Sequence, residues 1–185
     1  AASEVIITAG GKQALFHAAM ALFGPGDQVV THAPGWPTLG EQIRLAGATP
    51  VVVRTLARDG FRLTASALLD AVTPATRGIV INAPTNPTGA LFTEADARTV
   101  AIEAARRDLW IVLDACYERL VYEGPPPNLP RVMGGVAREV RLVRHDQHRE
   151  PFLGEFREDG EHFTFALGIE RARRLVEKER FGIHR

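Results

Sequence analysis

Short, unbroken apolar runs alternate along most of the chain with longer segments whose apolar residues recur at helical spacing. Glu4 to Thr8 carries Val5, Ile6 and Ile7, a β-branched run that predicts a strand. Lys12 to Phe23 spaces Leu15, Ala18, Ala19 and Leu22 three and four residues apart and predicts a helix, closed by Gly24-Pro25-Gly26-Asp27. Further strands are predicted at Gln28 to His32, Thr49 to Arg54, Gly78 to Asn82 and Leu109 to Leu113. Further helices are predicted at Thr38 to Ala46, Ala65 to Val72 and from Thr93 to about Arg107. Thr93, with Asp96 three residues on, reads as a helix N-cap with an acidic third position. Strands that are apolar throughout, instead of alternating, need cover on both faces. The pattern therefore predicts an α/β domain with a mostly parallel sheet and helices on both sides.

From Gly124 the pattern changes. Gly124-Pro125-Pro126-Pro127 breaks any regular element. Val140 to Val143 predicts one more strand, Arg144 to Glu161 is polar without a period, and Phe163 to Phe181 predicts a helix through Leu167, Arg171, Leu175 and Val176. Residues 1–124 are thus expected to form a domain core. Residues 125–185 are expected to be an irregular remainder, either a remnant of a smaller domain or a disrupted segment. The chain opens at Ala1, without methionine, on the approach to a strand, which reads as a missing beginning.

Composition narrows the partners. Twenty-two basic residues balance 22 acidic ones, so charge gives no reason to expect a nucleic acid or an acidic membrane. No apolar run approaches the roughly 20 residues that cross a bilayer, and no signal peptide is visible. Cys116 is the single cysteine, which excludes an internal disulfide and fits a reducing, cytoplasmic setting.

Three loops carry candidate chemistry, and each follows a predicted strand. In a parallel sheet they would gather at the carboxyl edge, where open α/β sheets bind ligands. Thr8-Ala9-Gly10-Gly11-Lys12 enters a helix through paired glycines, a geometry that brings backbone N–H groups and the positive helix end to an anion such as a phosphate. Taken alone it is equally an ordinary turn. Asn82-Ala83-Pro84-Thr85-Asn86-Pro87-Thr88-Gly89 brackets Asn86 with prolines and would hold one amide in a fixed direction, although an Asn bonding its own turn reads as well. Asp114-Ala115-Cys116-Tyr117 ends a strand with a carboxylate that would either face a ligand or cap the next turn.

The three loops, taken with Phe23 to Val30 (FGPGDQVV), Ala33 to Trp36 (APGW), Leu45 to Pro50 (LAGATP) and Thr73 to Arg77 (TPATR), follow one another as in the class I/II aminotransferases. Over about residues 4–124 the chain resembles the large domain of these fold-type I, pyridoxal-phosphate-dependent enzymes. Asn-Pro-Thr-Gly followed by Asp-x-x-Tyr is its most specific part. The resemblance implies that Gly11 and Lys12 hold the cofactor phosphate through backbone amides and that Trp36 stacks on the pyridine ring. It further implies that Asn86 and Tyr117 bond the ring's phenolic oxygen and that Asp114 pairs with the ring nitrogen. The expected activity is transfer of an amino group from an amino acid to a 2-oxo acid, by a homodimer in the intact protein.

The chain departs from that family at its catalytic centre. The Schiff-base lysine expected some tens of residues after Asp114 has no counterpart, since Val140 to Glu155 contains no lysine. Lys12 sits at the phosphate end of the expected site, and Lys178 lies in the charge run Glu177-Lys178-Glu179-Arg180, the pattern of a solvated helix face. No arginine matches the family's second phosphate or substrate-carboxylate position. His145 and His148 have the spacing of a helical metal pair but no further ligands, so a solvated pair is expected and no metal. The reading is a truncated or frame-disrupted piece of an aminotransferase, or a degenerate homologue that binds cofactor without turnover. Two alternatives keep the fold: a lyase or synthase using the same cofactor, and a non-catalytic regulatory homologue.

Overall fold

The computed structural model of the chain describes residues 5–134, 138–144 and 163–166. Its strands are β1 (Val5–Thr8), β2 (Gln28–Ala33), β3 (Thr49–Arg54), β4 (Thr76–Asn82), β5 (Trp110–Asp114), β6 (Arg138–Arg144) and β7 (Phe163–Ala166). Its helices are α1 (Gly11–Leu22), α2 (Pro37–Leu45), α3 (Ala65–Asp70), α4 (Glu94–Arg106) and α5 (Leu129–Met133), with a short 3-10 turn at Ala57–Asp59. The strands form one sheet in the order β1-β7-β6-β5-β4-β2-β3. The contacts β3–β2–β4–β5–β6 are parallel, whereas β7 runs antiparallel to both β6 and β1. Two successive reversals restore β1 to the direction of β6, so β1, β2, β4 and β5 all end on one edge.

The unbroken apolar strands explain the layering. Side chains alternate across a strand, and here both faces are covered. Val29, Val80, Trp110 and Val112 pack with Ala14, Leu15 and Leu22 of α1 and with Leu39 and Ile43 of α2. Val30, Ile79, Ile81, Ile111 and Leu113 pack on the other face with Leu68 of α3, with Ala97, Val100 and Ala104 of α4, and with Val132 and Met133 of α5. The central strands β4 and β5 are buried nearly end to end.

Thr93 caps α4 as its sequence predicts, accepting from the Asp96 N–H at 3.0 Å. Asp96 does more than the capping motif requires. Its Oδ2 accepts from the Thr93 hydroxyl at 2.6 Å, and its Oδ1 accepts from the Ala65 N–H at the start of α3, 2.9 Å away. One carboxylate thereby joins the N-termini of two helices. Asp96→Ala is expected to lower the unfolding free energy by about 1–3 kcal/mol, one cap and one long-range bond, measured by urea denaturation. Thr93→Ser should cost much less.

One sequence expectation needs correction. The helix predicted from Phe163 is a strand over Phe163–Ala166, paired on both sides. Its Phe-Thr-Phe run has aromatic and β-branched residues of high strand propensity, and the helical spacing that begins at Leu167 does not reach back over it. The rest of that span, together with His145, His148 and Lys178, lies outside the described residues. The strand expected about Val140 to Val143 is β6, which pairs with β5 in parallel from Arg138 to Leu142. Helix α5 was not predicted. Five residues are too short to show a period, although Asn128 caps it by accepting from the Arg131 N–H at 3.1 Å.

Candidate functional site

The site begins where the two central strands stop. Asn82, the last residue of β4, is the register partner of Asp114, the last residue of β5. Both are buried, at 1% and 3% exposure, so polar groups at the ends of two apolar strands must find partners within the protein. The Asp114 carbonyl accepts from the Ala83 N–H at 3.0 Å and from Asn82 Nδ2 at 3.3 Å. Asn82 Oδ1 accepts from the Asn86 N–H at 2.7 Å, and the Asn82 carbonyl accepts from the Thr85 hydroxyl at 3.0 Å. The Gly89 N–H closes the loop on the Thr85 carbonyl at 2.7 Å, and the Ala83-Pro84 and Asn86-Pro87 peptides are cis. Asn86 is thereby held by its backbone while its side chain remains half-exposed. Its Nδ2 donates to the Tyr117 hydroxyl at 3.4 Å.

Asp114 Oδ1 accepts from the Cys116 N–H at 3.2 Å, which turns the chain toward Tyr117. Burial pushes the Asp114 carboxyl above its ordinary range, with hydrogen bonds from Cys116 and Asn82 opposing. None of the ion pairs among the described residues includes Asp114. A cationic donor placed against it would offset the cost of burying that charge.

The loop after β1 lies on the same edge. Gly10 adopts a φ of +86°, open to glycine and disfavoured for other residues, and precedes α1 with no side chain capping the helix. The first-turn N–H groups of α1 carry the positive end of the helix dipole. Gly11 is buried and Lys12 exposed. The Lys12 ammonium lies 5.7 Å from the centroid of the Trp36 ring, and Gln42 Nε2 donates to the Lys12 carbonyl at 2.9 Å. Trp36, between β2 and α2, is half-buried and, like Cys116, packs on the α1 and α2 side of the core.

Of the six residues expected to bind cofactor, the structure joins Asn86, Tyr117 and Asp114 through Asn82, and sets Lys12 and its neighbour Gly11 by Trp36 on the same edge. Asn82 is part of this assembly, as is His32, whose Nε2 accepts the Asn82 N–H at 3.2 Å, and neither was singled out from the sequence. A polar residue closing an apolar strand is the one signal each gives. Among the described residues no group of three or more His, Cys, Asp or Glu could hold a metal ion, and no helix is long and apolar enough to cross a membrane.

The family model "Aminotransferase class I and II" matches residues 1–144. A probable aspartate/prephenate aminotransferase of Thermus aquaticus is 44% identical over 121 residues, which is 65% of this chain and 32% of that protein. An aspartate aminotransferase of Streptomyces avermitilis is 42% identical over 121 residues, 65% of this chain and 30% of that one. The structure of aspartate aminotransferase from Thermus thermophilus with maleate superposes with a TM-score of 0.77 at 30% identity, covering 94% of this chain and 44% of that one. The aligned part of the chain spans about a third of the length of these curated relatives.

Proposed function

Because this chain belongs to the class I and II aminotransferase family, we propose that it carries the pyridoxal 5'-phosphate seat of an enzyme that moves an amino group from an amino acid to a 2-oxo acid. The observation that carries this reading is Asp114: a carboxylate at 3% exposure, outside every ion pair among the described residues, at the carboxyl edge beside Asn86 and Tyr117. A buried anion without a countercharge is costly, and a protonated ring nitrogen supplies the missing charge.

In this reading Asp114 accepts a hydrogen bond from the ring nitrogen and holds the proton there. Asn86 and Tyr117, already 3.4 Å apart, converge on the ring oxygen. Trp36 offers its indole face to the ring, and the backbone amides of Gly11 and Lys12 at the start of α1 receive the phosphate. When bound, the cofactor supplies an electron-withdrawing ring that takes up the electron pair left at a substrate α-carbon. The names of the relatives point to aspartate as amino donor, and we place the intact protein as a cytoplasmic homodimer. The 1–124 region is the cofactor-binding core of this arrangement, extended by β6 and β7. Lys12 is the only lysine among the described residues, and it stands at the phosphate end. The proton transfer at the substrate α-carbon is therefore not given to any residue described.

The test is titration of the chain with pyridoxamine 5'-phosphate. This form has no aldehyde, so it cannot condense with Lys12 or Lys178. Expected are saturable quenching of tryptophan fluorescence, weakened in Trp36→Phe, and a rise in melting temperature equivalent to about 2.7 kcal/mol at a hundredfold excess over Kd. Linear, non-saturating quenching with an unchanged melting temperature would contradict the proposal.

A further inference from the structure

The parallel ladder between β2 and β4 runs from Gln28–Thr76 to Val30–Ile79, and no register pair joins the two strands beyond it. The strands nevertheless continue to Ala33 and Asn82, and the loops that follow them carry Trp36 and Asn86. At this open end the bond across the gap comes from a side chain. His32, at 6% exposure, accepts the Asn82 N–H on Nε2 at 3.2 Å, fifty residues away in sequence. With Nε2 accepting, the proton of a neutral ring sits on Nδ1. The turn is tight over this residue. A Cβ on Gly35 would lie 2.6 Å from the His32 carbonyl oxygen and 3.7 Å from Nδ1.

We propose that His32 is a positioning residue for the coenzyme seat, a neutral imidazole protonated on Nδ1 that ties the Pro34–Trp36 loop to the Asn82 corner from which Asn86 and Asp114 are set. The role rests on the pyridoxal-phosphate reading given above. An imidazolium would turn a second N–H against the Asn82 N–H and break the tie. Burial also favours the neutral ring, and outweighs the backbone contacts to Pro34 and Asn82, which act the other way. Asn82 thus has its backbone N–H on β2's side chain and its amide on β5 and on the Asn86 loop, so a shift at His32 reaches both walls of the seat.

Two measurements test this. Long-range 1H–15N spectra of the chain, with His32 identified by its loss in His32→Gln, are expected to show the neutral Nδ1–H tautomer. An Nε2–H tautomer or an imidazolium at neutral pH overturns the assignment. Pyridoxamine 5'-phosphate binding is expected to weaken about tenfold in His32→Leu, the scale of one lost hydrogen bond, and to be largely restored in His32→Gln. The glutamine places Oε1 where Nε2 stood and can still accept the Asn82 N–H. The quench of Trp36 at saturation should also change in the leucine variant, an effect that lost stability alone would not produce. Should the leucine variant not fold, the glutamine variant and the wild-type tautomer carry the test. Unchanged affinity in a folded His32→Leu overturns the positioning role alone. Wild type that fails to bind while showing the Nδ1–H tautomer overturns the coenzyme reading, and the role with it.

Discussion

Asp114→Asn is expected to weaken pyridoxamine 5'-phosphate binding by about 10- to 100-fold, the range of a lost charge-assisted hydrogen bond worth about 1.5–3 kcal/mol, while raising the melting temperature of the ligand-free chain. The two effects share one cause. The carboxylate is buried and outside every ion pair among the described residues, so its charge burdens the empty fold and is stabilised when a cationic partner arrives. The amide keeps the shape, and its oxygen can still accept from the Cys116 N–H that Oδ1 now holds at 3.2 Å. The pH dependence follows from the direction of the shift. Burial raises the Asp114 pKa above its ordinary 3.8, so between that value and the raised one the folded chain binds more protons than the unfolded. Stability then falls as pH rises through the window, and the cost is fully present above it. The advantage of Asp114→Asn should therefore be largest near neutrality and shrink as pH falls toward 3.8. Calorimetric melting at several pH values, with the ligand titration alongside, checks both halves. A variant less stable than wild type at neutral pH would show that Asp114 is already compensated within the fold.

Asn82→Ala is expected to be among the most damaging single substitutions at the carboxyl edge, lowering unfolding free energy by about 2–4 kcal/mol and abolishing measurable coenzyme binding. Its side chain is 1% exposed and is used at both ends: Oδ1 takes the Asn86 N–H at 2.7 Å, and Nδ2 reaches the Asp114 carbonyl at 3.3 Å. Truncation leaves the Asn86 N–H without its acceptor and opens a void between β4 and β5. The Asn86 loop then loses its anchor and with it the contact to Tyr117. Asn82→Asp keeps an acceptor for Asn86 but removes the donor and adds charge beside Asp114. It should retain part of the loop geometry and still fail to bind. Urea titration and the fluorescence assay separate the losses.

How much of this was legible in the sequence depends on the range of the interaction. β2, β3, β4 and β5 were legible because each is a short apolar run bounded by turn residues, and the Thr93 cap because its partners lie three residues apart. The strand order was not, since pairing is a long-range choice. β7 shows this most clearly, as its Phe-Thr-Phe run had to compete with the helical spacing just after it. Asn86, Tyr117 and Asp114 were legible as positions through motifs that resemble a known family. Their assembly through Asn82 was not, because the bonds that build it join residues 31, 32 and 50 apart. His32 offered only a lone histidine at the end of an apolar strand, and its meaning appears once β2 and β4 lie side by side.

On the proposed function, a buried carboxylate at the end of β5 keeps a pyridine ring protonated. This is tested most directly by 15N NMR of pyridoxamine 5'-phosphate labelled at the ring nitrogen and bound to the chain. The expected result is a pyridinium signal that persists to a pH well above that at which the free compound loses its proton, and that reverts to the free behaviour in Asp114→Asn. A bound ring nitrogen that titrates as it does in free solution, or one that Asp114→Asn leaves unmoved, would contradict the account.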